Sequence, residues 1–168
     1  PTARGAGASM IGTLNGEFFF MVLVAGAIAT HCTLAMALWA PKLGLPRADF
    51  PVAIADLSFG ESFAGKPSYW AGFFVIQMNG LFFAFLYATV IGPWLNAQGF
   101  ATTPMLNGAI YGFGLFVASG IFFQPVFLGL GLFLAKAHKF GWITSLMVHG
   151  IFGLVCGWLS PVTAGVGG

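Results

Sequence analysis

The chain has 168 residues, 58% hydrophobic and only 6% charged, with six Lys or Arg against four Asp or Glu and a formal net charge of +2. A soluble domain carries about 25% charged residues, so this chain lacks the polar side chains to cover a soluble surface. Six basic residues make no phosphate-tracking face, which excludes nucleic-acid binding together with a cytosolic enzyme and a disordered chain.

The composition predicts an all-α polytopic membrane protein. Its charged residues are Arg4, Glu17, Lys42, Arg47, Asp49, Asp56, Glu61, Lys66, Lys136 and Lys139, and they leave charge-free tracts at 18–41, 67–135 and 140–168. A helix needs about 20 apolar residues to cross the hydrocarbon core. The first tract holds one span, 18–39. A loop follows over 40–69 and contains Pro41, Pro46, Pro51 and Pro67. Within it Asp49 can cap a short helix with Pro51 in its first turn, running to about Phe59. Either that helix lies on the membrane surface, or the segment is an irregular loop packed on the end of the bundle.

The second tract holds two spans, 70–91 and 106–128, separated by Gly92-Pro93 and Asn96-Ala97-Gln98-Gly99. The apolar run of the third span continues to Ala135, too far for one straight crossing. Either the helix is kinked at Pro125, or it stops and 126–135 lies at the interface. The fourth span is 141–159, closed by Ser160-Pro161. The expectation is a single integral membrane domain over 1–168, with four transmembrane helices in an antiparallel bundle. No charged segment followed by a short apolar run and a cleavage site is visible, so no signal peptide is expected.

Lys42, Arg47 and Lys66 lie in the 40–69 loop and Lys136 and Lys139 lie in the 136–140 turn, against Arg4 alone on the other side. The positive-inside rule then places both hairpin loops in the cytoplasm and both termini in the periplasm. Trp39, Trp70, Trp94, Trp142 and Trp158 all fall near predicted span ends, where an aromatic belt belongs. Met78-Asn79-Gly80-Leu81-Phe82 in span two echoes Val148-His149-Gly150-Ile151-Phe152 in span four, which a duplicated helical hairpin would explain.

No Asp, Glu, Lys or Arg lies inside a predicted span, and no Ser-His-Asp set or HExxH motif occurs. A membrane enzyme or an ion-coupled transporter usually carries intramembrane charge, so the expectation is a protein that is not an enzyme. Cys32 and Cys156 sit in apolar tracts without metal-type spacing, so no metal site is expected.

The polar residues inside the spans fall at one depth. His31 lies eight residues before Trp39, Asn79 nine after Trp70 and His149 eight after Gly141. At a rise of about 1.5 Å per residue, all three sit roughly 12–14 Å from the same face. Gln77 and Ser119 lie near that level, and Gln124 lies there or nearer the cytoplasmic end. One reading of this polar layer is hydrogen bonding between helices. The other is cofactor binding, with His31 and His149 ligating haem b or a bacteriochlorophyll, or contacting a quinone. His138, between Lys136 and Lys139, reads as a loop residue facing solvent or headgroups.

Every span also carries small residues at a spacing of four. Gly108 and Gly112 continue through Gly114 and Ala118 in span three, and Gly153 and Gly157 lie in span four. Ala84 and Ala88 do the same in span two, and Ala25 and Ala29 in span one. Such faces let helices approach closely, within the chain or against a neighbouring protein.

Three stretches carry a resemblance. Leu43-Gly44-Leu45-Pro46-Arg47-Ala48-Asp49-Phe50, Phe85-Leu86-Tyr87-Ala88 and His149-Gly150-Ile151-Phe152-Gly153 resemble a family of small, uncharacterised bacterial four-helix inner-membrane proteins. The resemblance implies a bacterial source and the four-span fold, and implies no activity. Its pattern has a His early in span two, where this chain has Ile76, Gln77 and Asn79.

The leading expectation is a non-catalytic accessory or scaffold subunit of a larger respiratory or photosynthetic complex in the bacterial inner membrane, with other integral membrane subunits and lipids as partners. The alternatives are a cofactor-bearing electron-transfer or pigment-binding subunit and a small transporter or channel.

Overall fold

The computed structural model describes residues 11–12, 14–46, 49–60, 66–99 and 103–163. Among them, four helical stretches are long and apolar enough to cross a membrane: Gly16–Leu43, Tyr69–Gln98, Pro104–Val126 and Gly141–Leu159. They match the predicted count of four, but the second runs past its predicted end at 91 to Gln98.

Helix α1 (Gly16–Trp39) starts at Asn15, whose backbone is extended and whose side-chain oxygen accepts the Phe18 N–H at 2.9 Å. Glu17 in its first turn complements the helix dipole. A 3₁₀ turn, Ala40–Leu43, ends at Gly44 in the left-handed conformation, φ 74°. Helix α2 (Phe50–Phe59) has Pro51 in its first turn, as predicted. It packs on α3 (Lys66–Leu86), for Pro51 and Ala55 are buried and a Cβ at Gly72 would overlap the Pro51 carbonyl oxygen. The segment is a helix rather than an irregular loop, and it packs on α3.

Gly92-Pro93 does not end the second span. A π-helical turn, Tyr87–Ile91, leads directly into α4 (Gly92–Gln98), and Leu95 on α4 is buried. The Gly92 N–H bonds to the Tyr87 carbonyl five residues back, which moves the preceding turn away from the ring of Pro93. The third span repeats the device. Helix α5 (Pro104–Ala118) passes through a π turn, Ser119–Phe123, into the short α6 (Gln124–Val126), and Pro125 again stands two residues beyond the π turn. The helix then stops, so 127–140 is a separate irregular segment rather than the continuation of a kinked helix. It holds one 3₁₀ turn, Leu132–Leu134. Helix α7 is Gly141–Leu159.

The helices meet through glycine. A Cβ at Gly26 of α1 would lie 2.8 Å from Ala84 Cβ, and Gly80 of α3 is filled by the side chain of Thr30. Gly108 of α5 lies against Gly153 and Gly157 of α7, and Gly112 lies against His149 and Gly153, so the two helices run in opposite directions. Gly114 and Ala118, predicted to belong to the same packing stripe, do not: a Cβ at Gly114 would meet nothing within 4 Å, and Ala118 is exposed. Residues 112 and 114 are about 200° apart around a helix, so they occupy opposite sides.

Phe18, Val22, Ala29, Ala84, Tyr87, Tyr111, Phe152 and Cys156 form the central apolar cluster, with Val162 beyond α7. Val162 belongs to β2 (Val162–Thr163), which pairs in parallel with β1 (Ile11–Gly12). The start of α1 and the end of α7 therefore lie side by side. All five Trp side chains are exposed close to the ends of the long helices.

Candidate functional site

The polar residues of the spans first satisfy themselves along their own helices. Thr30 donates to the Gly26 carbonyl at 2.7 Å, Thr33 to Ala29 at 2.9 Å and Thr89 to Phe85 at 2.7 Å, each four residues back. Both predicted histidines do the same. His31 Nδ1 lies 2.7 Å from the Ala27 carbonyl oxygen and His149 Nδ1 lies 2.7 Å from that of Ser145. A carbonyl only accepts, so Nδ1 carries the proton in each ring and Nε2 keeps the lone pair.

The two imidazoles have different settings. His31 is exposed. It faces α3, where the Gln77 amide nitrogen is 3.2 Å from its Nε2 and the Phe73 ring stands edge-on at 5.8 Å. His149 is half-buried on α7, at the level where Thr33 of α1 reaches across to the Val148 carbonyl at 3.3 Å. His31 turns toward Gln77, and no hydrogen bond joins it to His149.

Ser119 and Gln124 belong to a second polar cluster. The Gln124 amide donates to Ser145 Oγ at 2.8 Å and to Ser119 Oγ at 3.1 Å, linking α6 and the adjoining π turn to α7. Its own Oε1 and the Thr144 hydroxyl are buried without a partner. Asn79 is exposed and takes part in neither cluster. The layer is thus two separate contacts plus one outward-facing amide. Among the described residues, no group of three or more His, Cys, Asp or Glu gathers as a metal site would.

Comparison with protein-family models, with curated proteins and with solved structures returns no match. The chemistry of this chain therefore has to be read from its own side chains.

Sequence reasoning missed a third polar group toward the opposite end of the helices. Tyr111 donates to the Phe83 carbonyl at 2.8 Å and its ring lies 5.1 Å from that of Tyr87. Asn107 donates to Asn96, joining α5 to α4. The available signal was the presence of two tyrosines and an asparagine inside apolar tracts, since a buried phenol or amide needs a partner.

These contacts are chiefly structural. What they leave unanswered is Asn79, and the exposed part of His31 beyond its contacts with Gln77 and Phe73, polar side chains well inside long apolar helices.

Proposed function

We propose that this chain is a non-catalytic accessory subunit of a larger bacterial membrane complex, of respiratory or photosynthetic type. Its four long helices cross the inner membrane as an antiparallel bundle, with both termini periplasmic. The family resemblance carried by the three sequence stretches fits that setting.

The observation that supports the reading is the exposure of His31 and Asn79. His31 is fifteen residues from the start of the stretch Gly16–Leu43, and Asn79 is ten from the start of Tyr69–Gln98. Polar groups left facing hydrocarbon are costly, so membrane helices cover them with polar groups of a neighbouring helix. A neighbouring subunit supplies that cover here.

Native gel electrophoresis of membranes solubilised in mild detergent tests this. The protein should migrate in an assembly much larger than itself. His31→Leu and Asn79→Leu variants should remain inserted and folded but leave the assembly. If both variants stay in it, or the wild type migrates alone, the reading fails.

A second reading, ligation of haem b or a bacteriochlorophyll, rests on one feature. The Nδ1 bond to Ala27 orients the ring and leaves Nε2 of the exposed His31 with the lone pair a metal would take. Gln77 occupies that nitrogen now and would have to withdraw. A Soret or near-infrared band in the purified protein that His31→Leu abolishes would favour this reading over the first.

A further inference from the structure

A cavity of about 460 Å³ opens where 127–140 folds against α5 and α7, within the size range of ligand pockets. Its floor is apolar, made by Phe116 of α5 with Phe133 of the 3₁₀ turn, and the exposed Leu132 lines its mouth. Phe133 and Leu134 both adopt positive φ, 50° and 63°, a conformation that costs residues with a Cβ of order 1–3 kcal/mol each. Packing holds them there. The Phe133 ring fills the space over Gly120 that any side chain would take, and its centroid lies 4.8 Å from that of Phe116. Leu134 is buried, with its Cβ 2.6 Å from where a Cβ of Gly141 would stand. The floor is therefore a built wall.

The rim has a different chemistry. It is formed by His138, Lys139 and the exposed Trp142. His138 Nδ1 accepts the Phe140 N–H at 3.1 Å, so the neutral ring carries its proton on Nε2 as a donor. The Lys139 ammonium stands 4.9 Å from the centroid of the Phe140 ring. No carboxylate lines the cavity. Donors and positive charge thus stand over an apolar chamber, next to a tryptophan of the kind found at headgroup depth.

We propose that this cavity binds an anionic phospholipid, with its phosphate at Lys139 and the His138 ring and an acyl chain against Phe116 and Phe133. The proposal rests on the reading that the helices on either side cross a bilayer. Basic pockets at the cytoplasmic ends of transmembrane helices take anionic headgroups, and the rim lies at the end the lysine distribution assigns to the cytoplasm. A quinone would also accept from His138, but its neutral head makes no use of the lysine.

The test is native mass spectrometry of the protein released from bilayer discs of mixed phosphatidylglycerol and phosphatidylcholine. The wild type should retain phosphatidylglycerol well above its bulk fraction. Lys139→Gln should reduce that enrichment by about fivefold. Ala135→Trp, which fills the cavity and leaves the charges in place, should abolish it. Lys42→Gln, which removes a charge at the same end but outside the cavity, should leave it unchanged. Equal retention of the two lipids by the wild type, or equal losses in Lys42→Gln and Lys139→Gln, would overturn the proposal. So would displacement of the lipid by inorganic phosphate, which would mark a free-anion site, or by a ubiquinone analogue, which would mark a quinone site. Failure of the wild type to enter the discs is a distinct result, because it overturns the membrane reading itself.

Discussion

Gly108 and Gly153 face one another so closely that a Cβ on either would overlap the carbonyl oxygen of the other. Gly157 extends the contact, for a Cβ there would lie 2.8 Å from the Cα of Gly108. Both sides of the obstruction are backbone, which cannot rotate away as a flexible side chain can. Lipid tails are as apolar as the side chains they would replace, so helix association in a bilayer depends on this closeness of fit.

Gly108→Leu and Gly153→Leu should each therefore destabilise the fold by at least the ~1–3 kcal/mol typical of overpacking. Gly114→Leu, on the open side of the same helix, should be nearly neutral. Thermal unfolding in detergent, followed by fluorescence-detected size exclusion, measures the difference. Equal midpoints for Gly108→Leu and Gly114→Leu would contradict the α5–α7 contact.

Tyr111→Phe removes the donor to the Phe83 carbonyl and should lower stability by about 0.5–1.5 kcal/mol. Tyr87→Phe should cost less, because its hydroxyl is 3.5 Å from the Pro104 carbonyl, at the limit of a hydrogen bond. The same unfolding assay ranks the pair, and a reversed order would mean that Tyr87 is the anchor.

Ser145→Ala and Gln124→Leu address the contact between α6 and α7. Each single change should cost about 0.5–2 kcal/mol, and the double mutant should cost less than the sum. Additivity in the double-mutant cycle would show that the 2.8 Å bond between them contributes nothing.

The pairing of Ile11–Gly12 with Val162–Thr163 brings both ends of the described chain to one side. A reporter fused after Gly168 should behave as periplasmic and one inserted near Ser62 as cytoplasmic, given the lysine and arginine distribution. The opposite pattern would invert the orientation. Reporters on the same side would contradict the three crossings expected between Ser62 and Gly168.

The spans were legible because charge and tryptophan mark their ends without any knowledge of packing. Pro93 was misread for a physical reason. Proline is a helix breaker in an α-helical frame, and a π turn changes the frame, but nothing in the local composition of 87–91 announces one. Gly114 was assigned to the wrong face because spacing along a sequence was followed past the point where it stays on one side of a helix. The depth of His31 and His149 is an expectation drawn from residue count alone. Their rotation depends on which face each helix buries, and the small residues on several faces of each span left that open. Tyr111 was missed because its partner is a backbone carbonyl, which has no signature in the sequence.

The habit of Thr30, His31, Thr33, Thr89 and His149 of bonding to the carbonyl four residues back bears on how such a chain is made. A helix leaving the insertion machinery has no neighbours yet. On α1 and α7 these side chains already have partners within the helix, so on the proposed membrane reading those groups would enter lipid satisfied. The segment Pro104–Val126 is different. Its Asn107, Tyr111 and Gln124 bond to Asn96, to the Phe83 carbonyl and to Ser145, and Ser145 is not synthesised until later. On the proposed membrane reading, this segment would keep unsatisfied groups until α7 arrives.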